Sequence, residues 1–104
     1  MTNLYKSKET VYFITYSSLG FYDYKQGIVD GTQDDSYVVK FDPVTIDGGT
    51  VYSGKLLLET ELFPTEGDAI HATIERNEKA LKELNITRGI IDSQITKLHQ
   101  IIKD

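Results

Sequence analysis

His71 and His99 are the chain's two histidines, and imidazole is the side chain best suited to proton transfer or metal binding near neutral pH. They stand 28 positions apart, which is four heptads. On one straight helix rising 1.5 Å per residue they lie about 42 Å apart. Two such residues cannot share a metal ion within one helix, although antiparallel helices could bring them together. As flanking residues in solvent they need no further role. The chain has no cysteine, which removes disulfides and thiolate zinc sites. No Ser-His-Asp spacing, phosphate-cradling glycine loop or HExxH motif occurs. Asp34, Asp35 and Asp47 could touch a cation, but they lack the spacing of a calcium loop and suit a soluble turn. The expectation is a protein without catalytic residues, metal or cofactor.

Residue types suited to binding are better supplied. Tyr5, Tyr12, Tyr16, Tyr22, Tyr24, Tyr37 and Tyr52 all precede residue 65. Tyrosine offers a large apolar face with a polar tip, so exposed members favour recognition, while others must fill a core. Phe21, Tyr22, Asp23 and Tyr24 form the best candidate for an exposed patch, with Asp34 and Asp35 as further partner-binding candidates. Stacked tyrosines can hold single-stranded nucleic acid, but Asp23, Asp30, Asp34 and Asp35 oppose that use. The 104 residues carry a net charge of −5. Residues 1–64 hold five Lys and nine Asp or Glu, and residues 65–104 hold six Lys or Arg and seven Asp or Glu, so the acidity sits mainly in the first part. An acidic surface of this kind disfavours polyanions and suits a basic protein partner.

These residues need elements to position them, and the strongest element signal lies downstream. Ile70, Ile74, Asn77, Leu81, Leu84, Arg88, Ile91, Ile95, Leu98 and Ile102 alternate in steps of four and three without a skip. This is a heptad, with Ile74, Leu81, Arg88, Ile95 and Ile102 at a, and Ile70, Asn77, Leu84, Ile91 and Leu98 at d. Thr65 is a good N-cap, and Glu66 and Asp68 place negative charge in the first turn. A long helix over residues 65–104 follows, with Gly89, Asn85 and Thr87 its weakest point, where a break would give a helical hairpin.

Residues 1–64 read as a small β domain. Residues 1–8 are polar and predicted to fray. Val11 to Tyr16 is β-branched and aromatic, Phe21 to Asp30 gives a second strand with Gly27 at a bend, and Ser36 to Asp42 alternates cleanly. Residues 30–35 read as a polar loop. Pro43 is expected to end the third strand. Further strands are predicted at Thr50 to Tyr52 and Lys55 to Leu62, around Gly54, with Phe63 in the core. The fold class is α+β: a small antiparallel sheet or SH3-like barrel, then one long amphipathic helix.

The order of a Tyr-rich strand, Gly27-Ile28-Val29-Asp30-Gly31, Ser36-Tyr37-Val38-Val39, and Glu61-Leu62-Phe63-Pro64-Thr65 with Asp68-Ala69-Ile70 resembles small proteins of phages and mobile elements of Gram-positive bacteria. The resemblance covers roughly residues 9–72. Gly67, in the first helical turn, and the long tail depart from the pattern. It implies an SH3-like barrel and a place among accessory genes. Some such proteins inhibit host enzymes or defences, so it implies an inhibitor of a host protein, with an anti-CRISPR or other anti-defence role as the concrete form.

Two further expectations concern assembly and place. At 1.5 Å per residue a helix of about 38 residues is about 57 Å long, roughly twice the span of a 60-residue barrel. The sheet is therefore predicted to leave Ile91, Ile95, Leu98 and Ile102 in water unless a second copy covers them. A homodimer through residues 70–102 is expected, with its orientation open; a parallel pair would oppose Arg88 to Arg88. A structural assembly module is thus the alternative to a host-protein inhibitor, and a nucleic-acid-binding SH3-like domain a third. No apolar run reaches the roughly 18 residues of a membrane span, so a cytoplasmic place in a bacterial host is expected.

Overall fold

The computed structural model describes residues 4–103. Strands β1 (Thr10–Tyr16), β2 (Tyr22–Gln33), β3 (Ser36–Ile46) and β4 (Gly49–Leu58) are followed by a 3-10 turn (Glu59–Glu61), the short strand β5 (Leu62–Phe63) and helix α1 (Glu66–Lys103). The sheet is antiparallel throughout, in the order β4-β3-β2-β1-β5. Consecutive strands pair in a meander, and β5 returns to the free edge of β1. The α+β architecture is the expected one.

Alternation builds one core. Val11 and Phe13 on β1, Val29 on β2, Tyr37 and Val39 on β3, Leu57 on β4 and Leu62 on β5 are all buried. They point to one face because side chains alternate along each strand. Phe41 packs on this cluster with its ring edge-to-face on Phe13, 5.0 Å between centroids.

β2 serves two partners. Its residues Tyr22–Ile28 pair with β1, and Ile28–Gln33 pair with β3, so the sheet turns at Gly27-Ile28. A β-carbon on Gly27 would lie 2.5 Å from Cγ1 of Val39, which explains the glycine.

Several strand limits differ from those expected. Residues 30–35 are not a loop: β2 runs to Gln33 through a bulge at Gly31, and Asp34-Asp35 alone make the turn into β3. Pro43 does not end β3. The ladder shifts register between Phe41 and Val44, and a proline at such a bulge removes no ladder hydrogen bond. The two predicted strands around Gly54 are the single strand β4, and the Asp47-Gly48 turn before it has positive φ at both residues, as a tight hairpin requires. Phe63 is half-buried, and Leu62 takes the core position.

The N-terminal segment is also more structured than its polarity suggests. Tyr5 is buried, with its ring edge-to-face on Tyr37 at 5.5 Å. Its hydroxyl donates to the carbonyl of Leu62 and its N–H to the Tyr37 hydroxyl, both at 3.4 Å. Lys8 N–H donates to the Val29 carbonyl at 2.7 Å. Of the segment expected to fray, residues 1–3 lie outside the described residues.

The chain divides into two units between Thr73 and Ile74. The first two turns of α1 belong to the sheet unit, where Ala69 and Thr73 are buried. The Thr73 hydroxyl donates to the Ala69 carbonyl at 2.7 Å, so its polar atom is satisfied. The second unit is the rest of α1.

Candidate functional site

Helix α1 starts where its cap residue stands: the Asp68 N–H donates to Oγ1 of Thr65 at 3.2 Å. It continues through Gly89 to Lys103 without a break. Ile70 and Asn77 are half-buried. Every side chain from Leu81 to Ile102 is exposed. Seven apolar seam residues (Ile74, Leu81, Leu84, Ile91, Ile95, Leu98 and Ile102) are between 47% and 80% exposed. Single exposed aliphatics are ordinary, but these seven recur along one stripe of the helix, interrupted at Asn77 and Arg88. Arg88 lies within the row and reaches Asp92 one turn on, at 4.0 Å. Ile86, Ile90 and Ile101 are exposed as well and lie off the seam at f, c and g. The heptad reading passed over them because they break no part of its pattern.

The aromatic candidates lie at the start of β2. Phe21 and Asp23 are exposed, and Tyr22 packs edge-to-face on its cross-strand neighbour Tyr16, with centroids 4.9 Å apart. Tyr24 is half-buried, and its hydroxyl donates to Oε1 of Glu66 at 3.0 Å. That hydrogen bond, with some desolvation, holds the Tyr24 hydroxyl above the usual tyrosine range. Asp34 and Asp35 sit at the other end of the same strand. Ten positions separate Tyr24 from Asp34, and between them β2 passes from its pairing with β1 to its pairing with β3.

Two residues outside the expected set do join Phe21. Tyr16 and Leu19 are exposed at the same β1–β2 turn. Ser17 fixes the turn: its Oγ accepts from the N–H groups of Leu19 and Phe21, at 3.2 and 3.3 Å, and its N–H donates to the Phe21 carbonyl. An apolar residue beside Ser-Ser and Gly, as Leu19 is, was the available signal.

An open cleft of about 390 Å³ lies where β2 and β3 part company, with Lys25, Ile28, Lys40, Phe41, Asp42 and Tyr52 among its walls. Its two lysines are already engaged. Lys25 pairs with Asp42 and lies 5.4 Å over the Phe41 ring. Lys40 pairs with Asp30 at 2.9 Å and lies 6.0 Å over Tyr52. Both lysines thus have a carboxylate partner on the sheet.

His71 and His99 are both exposed on α1. Among the described residues, no group of three or more His, Cys, Asp or Glu is placed to hold a metal ion, and no helix is long and apolar enough to cross a membrane. Compared with known proteins, the chain matches no family model, no curated protein and no solved structure.

Proposed function

We propose that this chain is a non-enzymatic assembly module whose long helix pairs with a second copy of itself. One observation carries the reading: from Leu81 to Ile102 a continuous helix has no buried side chain, yet it bears an apolar seam that only Arg88 interrupts. Helices in water owe most of their stability to packing of an apolar face. This one needs a partner for that face. Each aliphatic side chain gains about 1.5–3 kcal/mol on full burial. Seven from each of two copies set a sum of that kind against an association cost of about 4–15 kcal/mol. Sedimentation at micromolar concentration tests the reading. The expected species has twice the chain's 11.8 kDa, and Ile95→Asp returns it to monomer. A wild-type monomer at that concentration overturns it.

A second reading is that the sheet unit binds and inhibits a host protein, in the cytoplasm of a bacterial host, as the resemblance to phage and mobile-element proteins implies. An anti-CRISPR or other anti-defence role is its concrete form. The exposed group Tyr16, Leu19 and Phe21, fixed by Ser17, supports a protein partner at that turn. Its test is recovery of one host protein in stoichiometric amount by the wild type and not by Phe21→Asp, with the dimer intact in both.

A further inference from the structure

The seam also carries information about how its partner is oriented. We propose that the second copy lies antiparallel, in the register that sets Asn77 of each helix against Arg88 of the other; the inference rests on the assembly reading above.

The two polar residues of the seam decide between arrangements. A parallel pair in register stacks each residue on itself, so Arg88 would meet Arg88, two like charges at the centre of an apolar seam. In an antiparallel pair each layer sets an a residue of one helix against a d residue of the other. Asn77 is at d and Arg88 is at a, so one register brings them together, twice by symmetry. The Asn77 side-chain oxygen is then an acceptor for the guanidinium, which meets its need for a hydrogen bond. The layers on either side are wholly apolar: Leu81 on Leu84, Ile74 on Ile91, and Ile70 on Ile95.

The neighbouring registers fail on the same residues. A slide of one heptad sets Arg88 on Leu84 and Asn77 on Ile95, and brings Glu78 beside Asp92 on the flank. A slide of two sets Arg88 on Ile91 and Asn77 on Ile102. Each sets a guanidinium against an aliphatic layer, where the partner helix offers it no acceptor and only the 4.0 Å contact with Asp92 of its own helix remains. In the proposed register the flanks agree as well: His71 lies beside Asp92 and Glu78 beside Asn85. Ala69 and Thr73 at c and g are buried within their own sheet unit, while His71 at e is exposed, so at this end of the seam the e flank is the open one.

The chain has no cysteine, so introduced thiols report contacts without interference. Full-length Ile74→Cys, Ile91→Cys and Leu98→Cys are mixed in pairs in a glutathione redox buffer. The expected product is the disulfide heterodimer of Ile74→Cys with Ile91→Cys. A self-linked Ile74→Cys dimer means a parallel pair, and a link to Leu98→Cys means the register one heptad away; either overturns the proposal and leaves the assembly reading standing. A wild type that sediments as a monomer removes both. As a second measurement, Asn77→Asp is expected to tighten the dimer several-fold at low salt, since it sets a carboxylate against each Arg88. In a parallel pair the same change opposes two carboxylates, and a weaker dimer overturns the proposal.

Discussion

The hydroxyl of Tyr24 on β2 donates to Glu66 in the first turn of α1, at 3.0 Å. The bond joins the start of the helix to the strand that both hairpins share, and it holds only while Tyr24 keeps its proton. The Tyr24 pKa is raised above 10.0, first by this bond and then by desolvation. A group whose folded pKa is raised contributes stability that is complete below the unfolded pKa and is lost as pH rises through the folded one. The contribution of this bond to stability is therefore expected to be constant up to about pH 10 and to fall above it. Tyr5 titrates in the same direction, raised by burial first and by Glu9 second. Thermal melts from pH 8 to 11 check this, and Tyr24→Phe should lose less of its remaining stability over that window than the wild type.

Gly27 is expected to tolerate no side chain. An added β-carbon would meet Cγ1 of Val39 at 2.5 Å, the Lys40 carbonyl at 3.1 Å and Cε1 of Phe13 at 3.3 Å. Overpacking of this kind costs about 1–3 kcal/mol, or roughly 4–8 °C of melting temperature per kcal/mol in a domain this small. Gly54 on β4 has nothing within 4 Å of the same position, so Gly54→Ala is the control and should melt within about 2 °C of wild type. Equal losses at both positions would show that Gly27 is not the corner of the sheet.

The helix and the third strand were legible in the sequence because their signals are local and repeated. Thr65 caps, the apolar period changes after it, and Tyr37, Val39 and Phe41 alternate. Tyr5 was not legible: it sits alone among polar residues, and its partners Tyr37 and Leu62 are 32 and 57 positions away. Pro43 was misleading for a related reason, since a bulge that spares its missing N–H shows only when β4 pairs opposite. The candidate patch was half legible. Phe21 is exposed as its neighbours suggested, but only the pairing of β2 shows that Asp34 and Asp35 lie at the far end.

Tyr5 supplies a third test. Replacing a buried aromatic with alanine costs about 3–5 kcal/mol, and here it also removes the hydroxyl that donates to the Leu62 carbonyl, while the backbone N–H that donates to the Tyr37 hydroxyl stays. Tyr5→Ala is expected to shift urea unfolding by that amount with an unchanged slope. Tyr5→Phe, which keeps the ring on Tyr37 but loses the hydroxyl, should cost about 1 kcal/mol. A Tyr5→Ala variant as stable as wild type would mean that the N-terminal segment adds nothing to the core.

The last prediction concerns Gly89, at position b of the heptad, off the seam and with open space around its α-carbon. Glycine inside a helix costs roughly 1 kcal/mol against alanine. With every side chain from Leu81 to Ile102 exposed in one copy, the helix there has little besides propensity to hold it until a partner arrives. Its ordering is then coupled to assembly, and each copy in a dimer recovers the glycine penalty once. Gly89→Ala should therefore stabilise the dimer by about 2 kcal/mol, a roughly 30-fold lower Kd, while the melting of the sheet unit stays the same. Sedimentation equilibrium gives the first quantity and tyrosine fluorescence the second, since all seven tyrosines precede residue 65. An unchanged Kd would mean that the helix is fully formed before the copies meet, and that assembly draws only on side chains.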